Sequence, residues 1–142
     1  MLIIDANVVF SCIISRGKAL DTVFGLYDMG VKMISPEFII KEFEDNVSKI
    51  SKHSGLDEES VLAFAVNLFS EFIQVVPMIE YKQFLQEAAK ISPDKKDAPY
   101  FALSLAFNKT PIWSRELRLK RQKIVRVLSD DEIRGYFELN AP

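Results

Sequence analysis

Five acidic residues stand where carboxylates could act together: Asp5 after the apolar run MLII, Glu42 within SPEFIIKEFE, Asp94 and Asp97 in SPDKKDAPY, and Glu116 after PIWSR. Several carboxylates in one cleft repel one another unless a cation lies between them. With Mg²⁺ or Mn²⁺ present the arrangement becomes favourable, because the metal lowers the pKa of a bound water and neutralises charge on a scissile phosphate. Such a set would support phosphodiester hydrolysis.

Each of these acids also has an ordinary structural explanation. Asp5 could close a turn, and Asp97 is a good residue to cap a helix N-terminus. Asp94 could be a solvated loop acid beside Lys95 and Lys96, whereas Glu42 and Glu116 could pair with basic residues of the chain. No single acid decides between structure and chemistry, so the hypothesis depends on whether the fold brings the acids together.

The residue inventory excludes several other kinds of site. The chain has one cysteine and one histidine, Cys12 and His53, which are too few for a Cys/His zinc site. A Ser-His-Asp triad would have to rest on His53 alone, and His53 lies in a polar, loop-like stretch. The glycine-rich motifs that bind phosphates in dinucleotide and P-loop sites are missing from the sequence. The chemistry of an enzyme built on this chain must therefore come from carboxylates.

Length and composition indicate a globular protein. The chain has 142 residues, 49% of them hydrophobic and 27% charged, and a net charge of −2, so we expect a single domain covering residues 1–142. No apolar run reaches the roughly 20 residues of a membrane span, and the N-terminus lacks the features of a signal peptide. Together with the lone cysteine, these observations predict a cytoplasmic location and no membrane partner.

Strand and helix patterns mostly alternate along the chain, which predicts an α/β three-layer sandwich with a mostly parallel central sheet flanked by helices. Strands are predicted at 1–5, 31–35, 72–77, 110–114 and 123–128. Helices are predicted at 17–29, after a Ser35–Pro36 cap, after Asp57, at 80–90, at 97–107 and after a capping box at 129–132. Ligands of such sheets bind at the carboxyl ends of the strands, near the point where strand order reverses.

Two of the acids follow predicted strands and so should lie at that edge of the sheet: Asp5 and Glu116. Asp97 begins a helix after the loop that carries Asp94. Glu42 is four residues after Phe38 and therefore shares its helix face, which directs Glu42 toward protein rather than bulk water.

These residues occur in motifs whose order resembles that of the PIN-domain family of metal-dependent nucleases. The motifs DANVVFS, SPEFIIKEFE, DKKDAPYFALSLA and PIWSRELRL cover nearly the whole chain. The resemblance implies a parallel sheet flanked by helices and a Mg²⁺- or Mn²⁺-dependent ribonuclease. Carried over by position, it assigns catalytic and metal-binding roles to Asp5, Glu42, Asp97 and Glu116, with Asp94 as an accessory metal ligand. Glu116 departs from the aspartate that the family typically has there, so its carboxylate would reach further and could bind a metal through water.

The resemblance also suggests protein partners. Many small members of the family are toxins of toxin–antitoxin pairs, often dimeric and inhibited by a protein that occupies the cleft. An antitoxin and a homodimer are therefore expected partners.

The segment 115–126 (RELRLKRQKIVR) carries six basic residues against one acid. A charge run of this kind is usually a solvated edge, but this one directly follows Glu116 and should border the cleft. A basic rim beside a metal site suits a polyanion, and we expect single-stranded or loop RNA as the substrate. The residues expected to contact it are Ser114, Asn7, Arg115, Arg118, Lys120 and Arg121.

Two aromatic residues could stack on unpaired bases, Tyr100 and Trp113. Trp113 lies inside an apolar strand, so the core is the better expectation for it.

Two alternatives to a ribonuclease stay open on the sequence. The first is a catalytically weak or inactive PIN-fold module that binds RNA or a partner protein, which the longer side chain of Glu116 suggests. The second is an aspartyl-nucleophile phosphatase with Asp5 as the nucleophile. That chemistry usually needs a second aspartate two residues later, and Asn7 stands there and cannot transfer a proton.

Overall fold

A computed structural model describes the backbone of residues 1–139 and the side chains of residues 1–138. Its sheet has the strand order β3-β2-β1-β4-β5, and each neighbouring pair is parallel. The strands are β1 (Leu2–Ile4), β2 (Met33–Pro36), β3 (Ile73–Val76), β4 (Ile112–Trp113) and β5 (Val127–Leu128). The predicted α/β sandwich is confirmed, and the described strands are all parallel rather than mostly so.

Helices cover the sheet in two groups. Within residues 1–139 they are α1 (Ala6–Ile14), α2 (Lys18–Asp28), α3 (Phe38–Ser54), α4 (Glu58–Glu71), α5 (Leu85–Ile91), α6 (Ala98–Ala106) and α7 (Asp130–Leu139). Helix α1 packs against α2 and α3, and α3 packs against α4, whereas α6 packs against α5 and against β1 and β2. None of these helices is long and apolar enough to cross a lipid bilayer.

The centre of the core is formed by β1 and α1. All three residues of β1 are buried, as expected for a parallel strand covered on both faces. Helix α1 buries Val8, Val9, Cys12 and Ile13. No range was predicted for this helix, because its sequence is apolar on most sides and shows no clear helical period.

The predicted cap at Ser35–Pro36 is wrong. Both residues belong to β2, where Pro36 pairs with Val76, and the Ser35 hydroxyl donates to the Ile4 carbonyl oxygen at 2.7 Å. Helix α3 begins after Glu37, which makes no capping hydrogen bond with its side chain. The Ser35 side chain thus joins two neighbouring strands instead of starting a helix.

Two predicted helix starts are confirmed. The Asp57 carboxylate accepts from the backbone N–H of Ser60 at 2.7 Å, and the Glu132 carboxylate accepts from the backbone N–H of Ser129 at 3.0 Å before α7.

Three other boundaries differ from the prediction. The strand predicted at 123–128 is shorter in the structure, where β5 covers Val127–Leu128. The Gln122 side chain accepts from the backbone N–H groups of Ile124 and Val125, and this holds 122–125 as a turn. Helix α5 begins later than predicted, since two 3₁₀ turns, Met78–Glu80 and Lys82–Phe84, precede it. His53 lies in the last turn of α3 rather than in a loop.

Candidate functional site

The strand order reverses between β1 and β4, and side chains that follow these two strands meet there. The backbone N–H of Asp5 donates to the Trp113 carbonyl at 3.0 Å, and the Ser114 hydroxyl donates to Asp5 Oδ2 at 2.6 Å. A crevice at such a reversal is the usual ligand site of open parallel sheets. Asp5 therefore lies where a ligand of this fold would bind.

Asp5 is held rigidly and is almost fully buried, with 5% of its surface exposed. It caps α1, since Oδ1 accepts from the backbone N–H of Ala6 at 2.7 Å. Burial raises the pKa of Asp5, the bonds from Ser114 and Ala6 oppose that rise, and the charge of Glu116 adds to it. Because a carboxylate offers about four lone-pair sites, both oxygens of Asp5 can still face a cation.

The Ser114 hydroxyl makes several hydrogen bonds that hold the loop after β4. Its buried Oγ accepts from the backbone N–H of Glu116 at 3.0 Å and from Asn7 Nδ2 at 3.4 Å. Asn7 Oδ1 in turn accepts from the backbone N–H of Arg115 at 3.2 Å. In this structure Ser114 and Asn7 fix the loop against Asp5, and their contact with a substrate stays a prediction.

Replacing Ser114 by Ala removes the donor to Asp5 inside a buried site. We expect the free energy of unfolding to fall by about 1–3 kcal/mol, because a buried charged acceptor loses its partner. Urea denaturation of the variant measures this loss. Ser48→Ala is the matched control, since the Ser48 hydroxyl also donates to a carboxylate, that of Glu58, but on the surface. Equal stability changes in the two variants would contradict the assignment.

Glu42 is oriented by a buried tyrosine. The Tyr100 hydroxyl donates to Glu42 Oε1 at 2.6 Å, and Tyr100 itself is 1% exposed. The suggested stacking of Tyr100 on a base is therefore wrong, whereas the core position expected for Trp113 is confirmed. The link between Tyr100 and Glu42 was not predicted. The sequence does place Tyr100 three residues after Asp97, close to the same helix face, but it does not show that this face meets Glu42.

Asp94 has the capping role that the sequence suggested for Asp97. Asp97 precedes α6, but its side chain makes no capping hydrogen bond. Instead the Asp94 carboxylate accepts from the backbone N–H of Lys96 at 3.0 Å and begins a 3₁₀ turn, Lys95–Asp97. The capping role predicted for Asp97 is wrong, and its carboxylate is left available to the site.

The acids interact electrostatically across the crevice. Burial raises the pKa of Glu42 to about 7; the Tyr100 hydrogen bond opposes this, while the charges of Asp5 and Asp97 add to it. Burial also raises the pKa of Asp97 to about 6, with further increases from Asp5, Asp94 and Glu116. The fold therefore places several carboxylates close enough to repel one another.

The burial of Glu42, together with repulsion from the neighbouring acids, predicts an unusual pH dependence of stability in the metal-free protein. The pKa of Glu42 is about 7 in the fold, against an ordinary value of 4.5. Between these values the folded state binds more protons than the unfolded state, so this contribution to stability is lost as pH rises. Glu42→Gln removes that loss. We expect the free energy of unfolding of Glu42→Gln to exceed that of wild type by about 1–2 kcal/mol between pH 5 and pH 8. This range allows for solvent screening of a half-buried group.

Urea denaturation in EDTA at a series of pH values measures this gain. The matched control is Glu44→Gln, an exposed position on the same helix. If Glu42→Gln follows the control at every pH, Glu42 is not the source of the effect.

The outer acids of the site are paired with an arginine. Glu116 Oε1 accepts from Arg118 Nε at 3.0 Å, and Asp94 Oδ2 lies 3.6 Å from a terminal nitrogen of Arg118. The ordinary explanation for Glu116, pairing with a neighbouring arginine, therefore holds in this structure beside its position near Asp5 and Asp97.

Most of the cations expected to contact a substrate have acidic partners. Arg115 forms a 2.9 Å ion pair with Asp130 and also donates to Ser11, and Lys120 pairs with Glu132. Arg121 makes no ion pair with residues 1–139. The basic segment thus partly neutralises acids of its own chain.

The donor set fits a hard divalent cation in chemistry and in charge. Asp5, Glu42, Asp97 and Glu116 offer only carboxylate oxygens, which suit Mg²⁺ or Mn²⁺. Burial is the largest cause of the raised pKa of Asp5, Glu42 and Asp97, and a cation would relieve the repulsion that adds to it. Among residues 1–139, no three His, Cys, Asp or Glu side chains are already grouped as ligands of one ion.

Comparison with known proteins identifies the family. A chain of VapBC2 from Rickettsia felis, bound to a DNA fragment from their promoter, superposes with a TM-score of 0.65 and 12% sequence identity, over 90% of this chain and 97% of that chain. No curated protein sequence matches the chain. The sequence model of the PIN domain matches residues 3–123, which is most of the chain. The protein therefore belongs to the PIN domain family.

Proposed function

We propose that this protein is a metal-dependent endoribonuclease that hydrolyses RNA phosphodiesters with Mg²⁺ or Mn²⁺. The observation that carries the proposal is the set of electrically coupled carboxylates of Asp5, Glu42 and Asp97 beside the reversal of strand order. Membership of the PIN domain family supports it.

In this proposal the metal is held by Asp5, Glu42, Asp97 and Glu116, with Asp94 as an accessory ligand. When bound, the metal supplies Lewis acidity, which activates a water and neutralises phosphate charge. The chain's own contribution is orientation. Ser114 and the Ala6 backbone fix Asp5, Tyr100 fixes one oxygen of Glu42, and the Asp97 side chain makes no capping hydrogen bond that would hold it away from an ion.

Substrate binding in this proposal uses the basic segment 115–126. We propose single-stranded or loop RNA as the substrate, and the basic rim would contact its phosphate backbone. The candidate contacts are Ser114, Asn7, Arg115, Arg118, Lys120 and Arg121.

We further propose that residues 1–142 act as one PIN domain in the cytoplasm, as the toxin of a toxin–antitoxin pair and as a homodimer. The fold shared with a chain of the VapBC2 complex supports an antitoxin partner.

A second candidate function is RNA or protein binding without catalysis. The pairing of Glu116 with Arg118 favours it, since this pairing engages the fourth acid away from an ion.

The test is cleavage of labelled single-stranded and hairpin RNAs with Mg²⁺, with Mn²⁺ and with excess EDTA, using DNA of the same sequences as the control. The endoribonuclease predicts internal cuts in RNA that need metal. Cleavage that persists in EDTA contradicts it, and RNA binding without turnover in either metal favours the second function.

A further inference from the structure

Arg118 places a positive charge against the acids of the proposed metal site. Its guanidinium donates to Glu116 at 3.0 Å and lies 3.6 Å from Asp94. Its charge also acts on Asp97, where it favours the ionised carboxylate. Three acids on two different loops therefore face one arginine.

The ion pairs of Arg118 with Glu116 and Asp94 can open and re-form. The side chains of Arg118, Glu116 and Asp94 are 46%, 40% and 33% exposed, so ion pairs between them are weak and can open without unpacking the core. Asp5, by contrast, is buried and fixed by two hydrogen bonds. The acidic site thus has a rigid inner acid and an outer acid that a cation of this chain already holds.

A divalent ion and Arg118 would compete for the same carboxylate. An ion bound by Glu116 would lie against the guanidinium whose Nε donates to Oε1, and the two positive charges would repel each other. The backbone of Glu116 is fixed by the bond from its N–H to Ser114. The choice therefore rests on side-chain rotation alone, for which glutamate has one more bond than aspartate.

We propose that Arg118 is a built-in competitor of the divalent cation, which holds Glu116 in the metal-free protein and is released to bind a substrate phosphate when Glu116 turns to the metal. This inference rests on the proposed metal-dependent function. It makes metal binding and phosphate binding mutually reinforcing, because the ion frees the guanidinium that then contacts the substrate.

Isothermal titration with Mn²⁺ tests the competition in wild type, Arg118→Ala, Glu116→Gln and the double variant. We expect Arg118→Ala to bind Mn²⁺ about three- to fivefold more tightly, the range set by losing exposed ion pairs. Removing any nearby positive charge would also help an ion to bind, so the double variant decides. If Arg118 acts through Glu116, its removal changes the affinity little in the Glu116→Gln background. An equal gain in both backgrounds, or no gain in either, overturns the proposal.

Binding of an uncleavable 2′-O-methyl oligonucleotide tests the release. Arg118→Ala should weaken this binding severalfold in Mn²⁺ and much less in EDTA, where the guanidinium is held by the acids. Arg134→Ala is the control, since it removes the same charge from an exposed position on α7, outside the basic segment, and it should change binding little in either condition. A loss in Arg118→Ala that is equal with and without Mn²⁺ contradicts release. Arg118→Gln repeats both measurements with a side chain of similar length.

Failure of this inference is distinguishable from failure of the proposed function. If wild type binds Mn²⁺ and cleaves RNA but Arg118→Ala binds Mn²⁺ no more tightly, the competition alone is wrong. If wild type neither binds Mn²⁺ nor cleaves RNA, both are wrong.

Discussion

Asp5→Asn is expected to lower the rate of RNA cleavage by about three orders of magnitude while leaving the protein folded. The expected loss corresponds to about 4 kcal/mol of transition-state stabilisation, the scale of a metal-held charge interaction. Asparagine has nearly the same shape as aspartate, and its amide oxygen can keep the bond from Ala6. The variant thus removes the charge at the most buried acid of the site, and it replaces the oxygen that accepts from the Ser114 hydroxyl by an amide nitrogen.

The same substitution should lessen the stability that the metal-free protein loses as pH rises toward neutral. Burial raises the pKa of Asp5, so ionising it in the folded state costs free energy that an amide does not require. A variant whose stability depends less on pH but whose activity is lost would separate the role of Asp5 in chemistry from its role in folding.

Single-turnover cleavage in Mn²⁺ measures the loss of activity, and circular dichroism checks the fold. Asp57→Asn is the matched control, since Asp57 also caps a helix with one carboxylate oxygen but lies at the exposed start of α4. The control should cleave RNA at the wild-type rate. An Asp5→Asn variant that retains a tenth of wild-type activity would show that Asp5 is a structural cap.

The fold was predictable because its signals are local. Each described strand contains a short apolar run that turn residues or caps bound, and alternation with helices specifies a parallel sheet. The position of the crevice followed from the same reasoning, since Asp5 and Ser114 had to meet if β1 and β4 are neighbours. Helix α1 had no predicted range because it is buried on most sides and so lacks the polar face that reveals a helix.

The contacts within the site were harder to predict because they depend on tertiary packing. The sequence places Glu42 and Tyr100 58 positions apart, and nothing local shows that their helices meet. Capping by Asp94 rather than Asp97 depends on a 3₁₀ turn before α6, which sequence patterns represent poorly. The ion pair of Asp94 with Arg118 similarly joins two loops that only the completed sheet brings together.

Asp97 and Asp94, three residues apart in one loop, should differ widely in their effect on cleavage. Asp97 is half-buried, makes no capping bond and interacts with the charges of Asp5 and Glu116. Asp94 is bonded to the Lys96 backbone and to Arg118, and the first of these bonds lowers its pKa most. We expect Asp97→Asn to reduce the rate about 100- to 1,000-fold, and Asp94→Asn less than tenfold.

The comparison is sharp because each variant is the other's control. Both remove one negative charge from the same loop, so a general change in the potential of the cleft would affect them alike. Asparagine also caps well, which preserves the 3₁₀ turn in Asp94→Asn. Cleavage rates measured across a range of Mn²⁺ concentrations then separate the two roles. A loss in Asp97→Asn that high Mn²⁺ partly restores indicates a metal ligand, whereas equal losses in both variants would show that the charge of the loop matters and not the position of Asp97.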